Sequence, residues 1–110
     1  MEISNYGLYI SEREGFNIVE SDKGFATYKI NGEECYIRDI YIRPEFRDKD
    51  IAKQMLDEVC RIAKEQGCNH ITGSVDTNDK NATSNLKAAF VYGYRILRNN
   101  YTMILLIKEI

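Results

Sequence analysis

A chain of 110 residues has room for one domain with one hydrophobic core, and its 44% apolar and 29% charged content is ordinary for a globular protein. Its 15 basic and 17 acidic residues are well mixed and sum to a net charge of −2, which leaves no basic field for a nucleic-acid backbone or an anionic membrane. The most apolar stretch, residues 103–107, is too short to span a bilayer, and residues 1–10 lack the basic start and apolar run of an export signal, so a cytoplasmic protein is expected.

The first forty or so residues read as four strands joined by tight turns, at residues 7–10, 16–20, 25–30 and 34–42, because β-branched and aromatic residues come in short runs broken by Gly, Asn and Asp. The Asn31-Gly32 pair is the strongest turn signal, since both residues tolerate the positive φ of a two-residue hairpin. Strict alternation in the fourth strand puts Tyr36, Arg38, Ile40 and Ile42 on one face and Cys35, Ile37, Asp39 and Tyr41 on the other.

After Pro44 the period changes. Ile51, Ala52, Met55, Leu56, Val59, Ile62 and Ala63 recur at three- and four-residue steps, which predicts an amphipathic helix over residues 50–66 closed by Gly67. A strand at residues 70–75, a polar loop at 76–81 and a second helix at 83–92 ending at Gly93 follow. The chain then closes with a hairpin whose strands, 94–98 and 101–107, flank Asn99-Asn100. This order implies an α/β (α+β) fold: a mixed, mostly antiparallel sheet with one central, right-handed strand–helix–strand crossover and two main helices.

Cys35, Cys60 and Cys68 are odd in number and lack paired short spacing, so they are expected to be free packing residues with no metal site. His70 has no Ser, Cys or acid beside it that suggests a triad, and is expected to be structural.

The chemistry is concentrated in residues 36–52, which run from strand into helix through a short charged loop. The first N–H groups of a helix lack internal acceptors, and with the helix dipole they form a site suited to a pyrophosphate. Arg47 and Lys49 add positive charge there.

At this point Asp39-Ile40-Tyr41-Ile42-Arg43-Pro44-Glu45-Phe46-Arg47 resembles the extended motif of the GNAT acetyltransferase family, with local wording similar to the polyamine acetyltransferases. Residues 47–52 correspond to that family's Arg/Gln-x-x-Gly-x-Gly/Ala signature, and residues 86–94 resemble its Tyr-x-x-x-Gly-Phe element. The resemblance covers roughly residues 24–107 and implies one acyltransferase domain over residues 1–110, with acetyl-CoA as co-substrate. It implies that Ile40, Tyr41 and Ile42 offer backbone groups to the pantetheine arm, and that Arg47, Asp48, Lys49, Asp50, Ile51 and Ala52 cradle the pyrophosphate. Asn78, Asn81, Ser84 and Asn85 are candidates for the pantetheine or adenine end, Asn81 foremost. Asp39 is the candidate general base that accepts the proton of the attacking amine, ahead of Glu33 and Glu34.

The chain departs from the family pattern at three places. Asp50 stands where the family has its first glycine; as a helix N-cap it would compete for the same amides. At about 5 Å and an effective dielectric of about 20 to 40 its carboxylate would repel a phosphate by about 1 to 3 kcal/mol. Ala89 stands where the family carries the Tyr that protonates the leaving thiolate, and Tyr92 and Tyr94 are expected to pack rather than replace it. With only residues 11–15 between the first two expected strands, most of the family's N-terminal helical pair is expected to be absent, which suits a protein acceptor, or a partner or second copy that closes the site. The expected function is N-acetyl transfer to an amine on a small molecule or a protein. The alternative is a weakly active or inactive regulator of the same fold that acts through a protein partner.

Overall fold

The computed structural model describes residues 3–110. One continuous six-stranded sheet forms the centre, in the order β1-β2-β3-β4-β6-β5. Its strands are β1 (Asn17–Ser21), β2 (Gly24–Asn31), β3 (Glu34–Ile42), β4 (His70–Asp76), β5 (Arg95–Asn100) and β6 (Met103–Glu109). The helices are α1 (Asn5–Glu14), α2 (Ile51–Glu65) and α3 (Ala82–Val91). Only β3 and β4 pair in parallel, as the strand–helix–strand unit around α2 requires; the other neighbours are antiparallel.

The apolar stripe of α2 buries Met55, Leu56, Val59 and Ala63 against Ala26, Tyr28, Cys35, Ile37 and Ile71. A smaller cluster of Val75, Ala82 and Leu106 lies under α3 on the same sheet face, and Tyr94 packs against both clusters. The three cysteines are free: Cys35 and Cys68 are buried and Cys60 is half-buried. Burial, together with Cys68, Cys60 and Glu34 nearby, pushes the Cys35 thiol up to about 12. No helix among the described residues is long and apolar enough to cross a membrane.

The first expected strand is corrected. Residues 7–10 lie inside α1, so the described residues form three α-helices rather than two main ones. Ser4 caps the helix, its hydroxyl accepting from the Gly7 amide at 2.9 Å, and Gly15 ends it with φ 73. Glu20 of β1 holds that cap by accepting from both Ser4 N and Ser4 Oγ at 3.0 Å. The β-favouring Tyr6, Tyr9 and Ile10 are overridden by this capping and by the close seating of Gly7 on Ile18 and Glu20.

The closing hairpin is also shifted. Its turn falls at Tyr101-Thr102 rather than Asn99-Asn100, because the Thr77 amide donates to Thr102 O at 2.7 Å and fixes the turn to the end of β4. Asn99 and Asn100 become strand residues, and Tyr101 takes the positive φ of 55.

Strict alternation fails in β3 as well. The pairing passes from Thr27↔Asp39 to Tyr28↔Ile37, so Arg38 is the extra residue of a β-bulge. Beyond it the faces exchange. Ile40 and Ile42 join Cys35 and Ile37 on the α2 face, while Asp39 and Tyr41 join Tyr36 on the opposite face, the one against which α1 rests.

Candidate active site

The parallel pairing of β3 with β4 stops at Tyr36↔Thr72. From there the strands part, and a cleft of about 960 Å³ opens between residues 37–42 of β3 and residues 73–75 of β4. The start of α2 lines one side of it and the first turns of α3 the other. The parting begins beside the bulge: Arg38 is an extra residue of β3 relative to β2, and a bulge bends and twists its strand, which carries β3 away from β4 beyond Tyr36.

β3 is held in place along its other edge. Gly24 pairs with Ile42, and a Cβ at Gly24 would stand 2.0 Å from Tyr41 O, so only glycine allows β2 to approach the strand here. Pro44 opens a short 3₁₀ turn, Pro44–Phe46, and the Phe46 ring turns into the core. Arg47 then reaches back, donating from Nε to Ile42 O at 2.9 Å, with its guanidinium 5.8 Å from the Tyr41 ring centre.

The entrance of α2 is open. Asp48 and Asp50 both take left-handed backbone conformations, with φ 61 and 60. The Asp50 side chain makes no capping hydrogen bond, so the expected competition for the helix amides does not occur in this form. The backbone N–H groups of residues 48–53 donate to no acceptor among the described residues, and the first helical bond runs from Gln54 N to Asp50 O at 3.0 Å. Alternation of left- and right-handed residues turns such amides toward one concavity, the arrangement that holds an anion. The Asp48 and Asp50 carboxylates flank it and oppose that attraction.

Of the residues expected at the site, Asp39, Ile40, Tyr41 and Ile42 line the cleft from β3, Arg47, Asp48, Asp50, Ile51 and Ala52 from the helix entrance, and Asn81 from the start of α3. Lys49 does not line it, so its charge lies outside the cavity wall. Ser84 and Asn85 line the cleft and Asn78 does not. Asn81 does not cap α3 with its side chain; its carbonyl accepts from Asn85 N at 2.9 Å. His70 contacts Asn69 Oδ1 and stands outside the cleft, as do Glu33 and Glu34.

Asp39 sits at the bulge. Its Oδ2 accepts from Thr27 Oγ1 at 3.1 Å and from Arg38 Nε at 2.9 Å, and Arg38 also pairs with Glu14 of α1 at 2.6 Å. This fixes the carboxylate on the α1 face while its Oδ1 has no partner among the described residues. Ala89, Tyr92 and Tyr94 line the α3 side, and burial raises the Tyr94 phenol well above its ordinary range. Sequence reasoning passed over Gly73 and Ser74 of β4, which face β3 across the parting; nothing in their local sequence marks them, because the parting depends on a bulge in another strand.

A family model described as "Acetyltransferase (GNAT) family" matches residues 4–90. The chain belongs to this family. Thialysine N-epsilon-acetyltransferase of Bos taurus is 31% identical over 64 residues, which are 58% of this chain and 36% of that protein. The Sus scrofa protein of the same name is 34% identical over 50 residues, 44% of this chain and 29% of its own length. The chain therefore spans about a third of the curated relatives it matches.

Among solved structures, the PaiA N-acetyltransferase of Thermoplasma acidophilum in complex with coenzyme A superposes with a TM-score of 0.75 at 18% identity, covering 92% of this chain and 66% of that one. A GNAT family acetyltransferase from Elizabethkingia anophelis with acetyl-CoA bound gives 0.74 at 20% identity, covering 97% and 84%. These likenesses establish the GNAT fold for the whole of the sheet described above.

Proposed function

We propose that this GNAT domain transfers the acetyl group of acetyl-CoA to a primary amine. The observation that carries the reading is the parting of β3 and β4 directly above a helix entrance whose amides at residues 48–53 are unpaired. The pantetheine arm lies along residues 40–42, where exposed backbone can pair as an added strand would. The diphosphate rests on residues 47–52, and Asn81 faces the same cavity from α3. The two structural relatives named above hold coenzyme A or acetyl-CoA, which supports the same occupant here.

Asp39 serves as the general base. Its Oδ1 has no partner among the described residues and is open to accept a proton, and Thr27 and Arg38 hold its orientation through Oδ2. The acceptor is a lysine-like alkyl amine on a small molecule or a protein side chain, a choice supported by the thialysine acetyltransferase relatives. One acyltransferase domain over residues 1–110, and closure of the open side by the acceptor protein, a partner or a second copy, belong to the same reading. So does a cytoplasmic setting, which suits three free cysteines.

Calorimetric titration with acetyl-CoA tests the proposal. Micromolar binding with release of free thiol upon addition of alkyl amines is the expected result. Absence of binding at millimolar cofactor would leave the regulator reading in its place.

A further inference from the structure

At the closed end of the cleft, Tyr36 Oη and Ser74 Oγ lie 3.2 Å apart, joining β3 to β4 just beyond their last registered pair. Both side chains are half-buried, and Ser74 also lines the cavity. The bulge at Arg38 puts Asp39 on the same sheet face as Tyr36, so a carboxylate and a hydroxyl pair stand at the point where the strands divide. Position 89 of α3 supplies only a methyl group to that cavity.

We infer that Ser74 hydrogen-bonds to the leaving sulfur of the thioester and gives it a proton, with Tyr36 as the residue that positions and re-protonates Ser74. This rests on the acetyl-transfer reading above. In the step, the amine nitrogen bonds to the acyl carbon, the C–S bond breaks, and its electron pair goes to sulfur. The sulfur takes the Ser74 proton, Ser74 takes the Tyr36 proton, and Tyr36 recovers one from water. The proton shed by the amine goes to Asp39. A chain of two hydroxyls polarises in one direction, so the donor facing sulfur is stronger than an isolated serine.

The test compares Ser74→Ala, Tyr36→Phe and the double variant on two thioesters, acetyl-CoA and 4-nitrothiophenyl acetate, whose acidic thiol departs without protonation. Ser74→Ala should lower kcat with acetyl-CoA by about 10- to 100-fold while leaving KM for acetyl-CoA unchanged. The deficit should shrink on the aryl thioester. Tyr36→Phe should lose less, and the double variant no more than Ser74→Ala alone. Equal deficits on both thioesters, or an unchanged kcat, would overturn the assignment. A crystal structure with coenzyme A separates the two levels. Sulfur within hydrogen-bond reach of Ser74 Oγ supports the step, sulfur directed elsewhere removes it and spares acetyl transfer, and failure to bind coenzyme A removes both.

Discussion

The two halves of the sheet are built differently. β1, β2 and β3 pack on α2 around a continuous core in which Ala26, Cys35, Val59 and Ala63 have no exposed surface, completed by the fully buried Ile71 at the start of β4. β4 and β6 pack on α3 around Val75, Ala82 and Leu106, and β5, at the edge of this half, is exposed at every residue. The cleft lies along the border between them. A packed half can hold Asp39 and the α2 entrance in fixed positions, whereas the looser half can yield as a long ligand enters between the strands. Rigidity and access are therefore divided between the two walls of one cavity.

The difference can be tested where it should be greatest. Met55 is 1% exposed, and Met55→Ala should cost about 2 to 5 kcal/mol in urea denaturation. A smaller loss would show that the α2 half is not the tightly packed one. At the entrance of the same helix, Asp50→Gly removes a carboxylate worth about 1 to 3 kcal/mol of repulsion toward phosphate and replaces a left-handed aspartate with the residue best suited to that conformation. Acetyl-CoA should bind about tenfold or more tightly by calorimetry. Unchanged affinity would mean that the phosphates do not approach this turn.

Alkali probes the same core. The folded Cys35 thiol is raised from 9.0 to about 12, so the protonated form is favoured by folding, and the stability this gives is complete below about 9 and lost as pH rises toward 12. Between pH 8 and 10 Cys35 should account for a loss of about 1 kcal/mol, and Cys35→Ala should reduce the alkaline slope by that amount without abolishing it, because burial also raises Cys60, Cys68 and Tyr94. At the other extreme, Leu97 is the bulge residue of β5 and is 48% exposed, so Leu97→Ala should change stability by less than about 0.5 kcal/mol. A loss comparable to that of Met55→Ala would mean that β5 is covered in solution.

The α2 helix, β2, β3, β4 and α3 were legible in the sequence because each carries its own period and stop signal: the apolar stripe from Ile51 to Ala63, the Asn31-Gly32 turn, and glycines at positions 67 and 93. The segment proposed to hold the cofactor was read as a unit for a similar reason. Its residues are contiguous, so their chemistry and their placement are read together. The regions that misled did so where distant partners decide. α1 depends on Glu20 holding the Ser4 cap, and the hairpin register depends on Thr77.

Residue order by itself determined α2, α3 and strands β1 to β4, the GNAT resemblance and the run from Asp39 to Ala52, since short-range periodicity and turn chemistry act over a few neighbouring residues. Tertiary structure alone decided which face Asp39 occupies, that Lys49 stays outside the cleft, and that Ser74 meets Tyr36. The first and last of these follow from one unpaired residue, Arg38, and from contacts between strands far apart in the chain, while Lys49 is turned by the left-handed residues on either side of it. A bulge exists only in the pairing of two strands, and no periodicity within either strand records it.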